Sequence, residues 1–90
     1  MTPYKPVATG KVQGVFFRAA VKEHADSLGI FGYVHNRDDG SVEICMQGEK
    51  EALDLFLQHV IEKPGAGHVE HLTPPQTCEE GPFTTFEIHP

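Results

Sequence analysis

Residues 41–47 alternate strictly, with Val42, Ile44 and Met46 on one side and Ser41, Glu43, Cys45 and Gln47 on the other. A period of two predicts a strand, in a sheet covered on one face. Over residues 18–28 the period changes. Phe17, Val21, Ala25 and Leu28 recur every three or four positions, as one stripe of a helix that Gly29 ends as a C′ glycine. A second such stripe, Leu53, Phe56, Leu57, Val60 and Ile61, predicts a helix over 49–62, stopped by Pro64-Gly65-Ala66-Gly67. Further strands are predicted over 4–11 (weakened by Pro6, which cannot donate to a ladder), 31–36, 68–73 and 83–89. Arg37-Asp38-Asp39-Gly40 is a hairpin turn, and residues 76–82 form a loop after Pro74-Pro75.

This order is β-α-β-β-α-β with a short extra strand. Helices with one apolar face and strands with alternating faces call for two layers. The expected class is therefore α+β, a ferredoxin-like (split βαβ) sandwich with two helices on one face of an antiparallel sheet. A chain of 90 residues is expected to form one domain, 1–90. No apolar run is long enough to span a membrane, and MTPYKPVATG lacks the basic and apolar regions of a signal peptide. Cys45 and Cys78 are far apart and make no CxxC, so a reducing, cytoplasmic setting is expected. An oxidant could join chains through Cys78.

The formal net charge of −6 argues against a nucleic-acid partner, which needs a basic face. It also means that an anion site must work through local donors, against the overall field. The two helix starts differ in this respect. The second opens with Glu49 and Glu51, placed where the helix dipole is positive. The first follows GKVQGVFFR, residues 10–18, which contains no Ser, Thr, Asp or Asn, and its first acid is Glu23. The first four N–H groups of a helix have no intrahelical acceptor, and ordinary loops supply a capping side chain. Gly10 and Gly14 allow a tight backbone, and Arg18 adds a charged fork. Together they suit a phosphate or carboxylate. The competing reading is a plain tight loop with a solvated arginine. The segment is not a Walker A loop. A cysteine-phosphatase loop would need its nucleophile where Val12 stands.

Gly10-Lys11-Val12-Gln13-Gly14-Val15-Phe16-Phe17-Arg18 resembles the acylphosphatase signature G-x-V-Q-G-V-x-F-R. The stretch Gly32-Tyr33-Val34-His35-Asn36-Arg37-Asp38-Asp39-Gly40-Ser41-Val42-Glu43 resembles the second signature of that family, and Gly48 falls at its later glycine. The resemblance spans nearly the whole chain. Departures are Pro6 in the first strand, His35 where a basic or amide residue is usual, Lys63 before Pro64, and a less basic His89-Pro90 end. The resemblance implies metal-free hydrolysis of the carboxyl-phosphate bond of acyl phosphates, with no cofactor. It implies that Arg18 and the backbone N–H groups of Gln13, Gly14, Val15, Phe16 and Phe17 bind the phosphoryl group, and that Asn36 orients the attacking water. Inorganic phosphate and similar anions would then compete with substrate. A monomer without nucleic-acid or membrane partners is expected.

Two rivals stand beside this. A binding module on the same fold would need Arg18 but has no use for Asn36, which could equally be a turn asparagine. An RNA-binding sheet would need more exposed aromatics than Tyr33. His24, His35, His59, His68, His71 and His89 form no metal-ligand spacing. Asp38-Asp39 reads as turn chemistry, and neither cysteine has an evident base.

Overall fold

The computed structural model describes residues 2–90. Its elements are β1 (Val7–Lys11), α1 (Phe17–Leu28), β2 (Phe31–Asn36), β3 (Val42–Gln47), α2 (Lys50–Glu62), β4 (His68–Leu72) and β5 (Phe86–His89). They form a two-layer α+β sandwich of the ferredoxin-like kind, with sheet order β4-β1-β3-β2-β5. Four strands pair antiparallel, as expected, but β5 joins β2 in parallel, with Val34 opposite Ile88 and His35 opposite His89. The sheet is therefore mixed. The long return from β4 brings the last strand to the far edge in the direction of β2.

Several boundaries move for local reasons. β1 begins at Val7, not residue 4, although Tyr4 makes single bridges to Met46 and Thr77. Pro6 lies just before it, with no N–H to give. Its carbonyl accepts the Ile44 N–H at 3.0 Å. β5 is shorter than residues 83–89. The Phe83 N–H is taken by the Gln47 side chain at 3.2 Å, not by a ladder.

The core lies between helices and sheet. Phe17, Val21 and Ala25 of α1 and Leu53, Phe56 and Val60 of α2 pack on Val34, Val42, Ile44 and Met46. Ile61, placed by its spacing on the α2 stripe, is 48% exposed. It stands at the edge of a stripe whose centre is Val60. Gly32 is required by contact: a Cβ there would come within 1.9 Å of the Cys45 carbonyl oxygen, at a φ of +141°.

The other sheet face is not left to solvent, contrary to the expectation from the 41–47 alternation. Cys45 is fully buried and Tyr33 nearly so, in a second apolar cluster with Cys78 and partly buried Phe83. The segment after Pro75, read from sequence as a surface loop, folds back as a strap over this face. Tyr33 is thus unavailable as a stacking platform for bases.

Candidate active site

The GKVQGVFFR segment connects β1 to α1 at one end of the sheet. Gly14 has φ 73°, and Phe16, the N-cap of α1, has φ 60° and ψ 21°. A left-handed phenylalanine is strained, because its Cβ crowds the following carbonyl. The Phe16 ring gains little burial in return, being 86% exposed. The strain instead serves the backbone: such outliers persist where a site needs a particular main-chain path.

That path leaves donors free. Among the described residues, the first backbone bond of α1 runs from the Ala20 N–H to the Phe16 carbonyl at 3.2 Å. Among the described residues, the N–H groups of Gln13 through Ala19 find no backbone or side-chain acceptor. No acid lies in the first helical turn and no side chain caps it. α2 begins differently. Its N-cap, Glu49, has ordinary extended dihedrals, and Glu51 lies in its first turn. Glu49 makes no capping bond, so its carboxylate meets the dipole by charge alone.

The Gln13 side chain fixes the loop. Its Nε2 donates to the carbonyl oxygens of Arg37 at 2.8 Å and Ser41 at 2.9 Å, tying the loop to the two ends of the hairpin turn. The turn itself is built as Asp38-Asp39 implied. The Arg37 N–H donates to the Ser41 carbonyl at 2.8 Å, and the Ser41 N–H to Asp39 Oδ1 at 3.0 Å. The Ser41 hydroxyl at 2.5 Å, and then the serine N–H, hold the Asp39 carboxyl below the usual carboxylate range.

Arg18, half-buried in the first turn of α1, donates through Nη1 to the His89 carbonyl at the end of β5. One of its five N–H donors is thereby used to hold the fork, leaving the others for a ligand. Arg18 lines a cleft of about 400 Å³ with Gly14, Phe16, Phe17 and Ile88. Ile88 is opposite Val34, and Asn36 lies two residues further along β2 on that same helix-side face. Asn36 is paired in register with Val42, a core residue. Its Oδ1 is buried and has no hydrogen-bond partner among the described residues. A buried carbonyl acceptor without a donor is costly unless a water or ligand meets it.

The structure gathers Gly14, Phe16, Phe17 and Arg18 in one cleft lining and ties Gln13 to the turn that follows Asn36; Val15 and Asn36 are not in that lining. Gln13 through Phe17 supply the loop, Arg18 its charged end, and Asn36 the facing strand. Two features escaped the sequence reading. The Gln13 side chain acts as a brace as well as supplying a backbone N–H, and Phe16 is left-handed. The spacing of Gly14 was a partial signal for the second. His35 alternates to the opposite face, as expected, beside Glu43 and His89. A larger cleft of about 530 Å³ adjoins the α2 N-terminus, with Tyr4, Leu53 and Leu57 in its lining. Glu49 and Asp54 are in the same lining, so it is ill-suited to an anion.

Comparison with known proteins agrees across the chain. The family described as Acylphosphatase matches residues 4–88. A protein from Thermus thermophilus named acylphosphatase is 48% identical over 80 residues, covering 89% of this chain and 90% of its own. One from Chromohalobacter salexigens, also named acylphosphatase, is 40% identical over 84 residues, covering 93% and 92%. The crystal structure of acylphosphatase from Bacillus subtilis superposes with a TM-score of 0.86 at 35% identity, covering 99% of both chains.

Proposed function

The chain belongs to the acylphosphatase family, and on that premise we propose that its residues 1–90 form one catalytic domain that hydrolyses acyl phosphates without a metal, using Arg18, the 13–17 backbone amides and Asn36. The observation that carries this reading is the row of unpaired N–H groups from Gln13 to Ala19 ending against a half-buried Arg18.

The substrate is a mixed anhydride whose carboxylate is already a good leaving group. Phosphoryl transfer through a loose transition state asks mainly for positioning and for donors where charge develops. The loop amides of Gln13, Gly14, Val15, Phe16 and Phe17 hold the phosphoryl oxygens. Arg18 adds a bidentate charged contact, its plane set by the His89 carbonyl. Water attacks phosphorus opposite the acyl oxygen, the phosphorus–oxygen bond to the carboxylate breaks, and inorganic phosphate forms. The vacant Asn36 Oδ1 accepts one hydrogen bond from that water and holds it in line. An amide is no base, so the water's proton passes to a phosphoryl oxygen of the substrate.

A non-catalytic anion binder on this fold would need the loop and Arg18. It has no use for an unpartnered acceptor on the facing strand, and Asn36 supplies one. The test is hydrolysis of benzoyl phosphate by wild type and Asn36→Ala, with EDTA present and inorganic phosphate titrated in. Turnover in EDTA, competition by phosphate and an inactive variant are expected. Phosphate binding without turnover in wild type would make the protein a binder.

A further inference from the structure

The opposite face of the sheet holds a pair of thiols that hydrolysis does not use. Cys45, at the centre of β3, and Cys78, on the strap, are both buried with free thiols. Their Sγ atoms are 3.8 Å apart although the residues are 33 positions apart in sequence. We propose that Cys45 and Cys78 are a modification site, a thiol pair that closes to an intramolecular disulfide on reaction with a small-molecule disulfide.

Position favours closure within the chain. A disulfide needs the sulfurs at ~2.05 Å, so they must approach by less than ~2 Å. Cys45 is held in a central strand between β1 and β2. Cys78 lies outside the named strands, held by its N–H to the Pro3 carbonyl at 2.9 Å. Its thiol donates to Glu80 Oε1 at 3.3 Å and accepts from the Glu80 N–H at 3.4 Å. Burial, then the hydrogen bond to the neighbouring Cys78, raises the Cys45 thiol above the ordinary thiol range. Cys78 also keeps 8% exposure against none for Cys45. Cys78 is therefore the first to react.

The sequence is balanced. Cys78 loses its proton to solvent and its thiolate attacks one sulfur of the oxidant, forming a mixed disulfide and releasing one small thiolate. Cys45, held protonated more strongly, loses its proton in the slower second step and attacks Cys78 Sγ, and the second small thiolate leaves. Both released thiolates take up the protons given off. The oxidant gains two electrons and the protein pair loses two. Linkage of two chains through Cys78 is disfavoured, because its nearest competing thiol is already in contact.

The experiment treats native protein with oxidised glutathione, with and without EDTA, and measures intact mass under non-reducing conditions. Expected is a monomer lighter by two hydrogens, with a melting temperature higher by roughly 10 °C and reversible by dithiothreitol. Cys45→Ser should stop at a single glutathione adduct, and Cys78→Ser should react only after unfolding. Benzoyl phosphate turnover should stay within about twofold in both forms, since the pair is on the face opposite Asn36. A disulfide-linked dimer, a lasting glutathione adduct on wild type, or two unreacted thiols would overturn the proposal. So would oxidation that proceeds only with EDTA, which would mean that Cys45, Cys78 and Glu80, whose ligand atoms lie within 4.8 Å of each other, hold a metal cation instead.

Discussion

The two faces of β2 differ most in how their polar groups are paired. On the helix side, Asn36 Oδ1 has no partner and the adjoining loop presents N–H groups without acceptors. On the other side, Tyr33 Oη lies 2.8 Å from carboxylate oxygens of both Glu43 and Glu80. Lys5 Nζ reaches Glu80 at 2.8 Å, and Gln47 meets both the N–H and the carbonyl of Phe83. A saturated network holds structure together. A buried polar group left unpaired, by contrast, is costly unless a water or a ligand meets it.

The largest effect expected on this contrast is from Asn36→Ala. Turnover of benzoyl phosphate should fall by ~10³-fold, the scale of losing a positioned polar contact at the reacting centre. Phosphate affinity, read by calorimetry, should change by no more than about threefold. Lost affinity with intact turnover would show that Asn36 only shapes the turn. Arg18→Gln comes next. It should lower turnover by ~10²-fold and phosphate affinity by at least ~10-fold, because a neutral amide cannot replace the charged fork. Equal turnover in the two proteins would remove arginine from the reaction.

The saturated face is probed by Glu80→Gln. Lys5, then Tyr33 and Cys78, hold the Glu80 carboxyl down to about 2 from the usual 4.5. A carboxylate with a depressed folded-state pKa stabilises the fold above its unfolded value, and the contribution is lost as pH falls from about 4.5 toward 2. Urea unfolding midpoints of wild type should drop over that window more steeply than those of Glu80→Gln. Equal slopes would mean that the network is solvated and idle. With the Glu80 side chain 49% exposed, the difference should be modest. The smallest effect is expected for Phe16→Gly. Relief of a left-handed non-glycine residue should stabilise by about 1 kcal/mol in denaturant titration, less what glycine loses in chain entropy. A clear loss of stability would mean that the exposed ring has a packing role.

Much of this was legible in the chain, for reasons of range. Val42-Glu43-Ile44-Cys45-Met46 shows its period to immediate neighbours, and Phe17, Val21 and Ala25 show theirs over about two turns. The uncapped start of α1 is likewise local: the absence of Ser, Thr, Asp and Asn from residues 10–18 could be read without coordinates, and the unpaired N–H groups agree with it. Asn36 was singled out through its motif alone, and its unpartnered Oδ1 is a feature only the structure shows. What no local pattern carries are contacts between distant positions. Arg18 meets the His89 carbonyl across 71 residues, Gln13 braces a turn 24 and 28 residues away, and Cys45 meets Cys78 across 33.

The parallel placement of β5 belongs to the same class. Phe86 and Ile88 announce a strand, but its partner and direction depend on where the return from β4 can reach. The strap over Tyr33 and Cys45 does too. Ser41, Glu43, Cys45 and Gln47 read as a solvent-facing row, and only packing shows that row covered. Periodicity records which side of an element is apolar. It does not record what later segment of chain comes to lie on the polar side, because that is settled by the free energy of the whole packed arrangement rather than by any window of sequence.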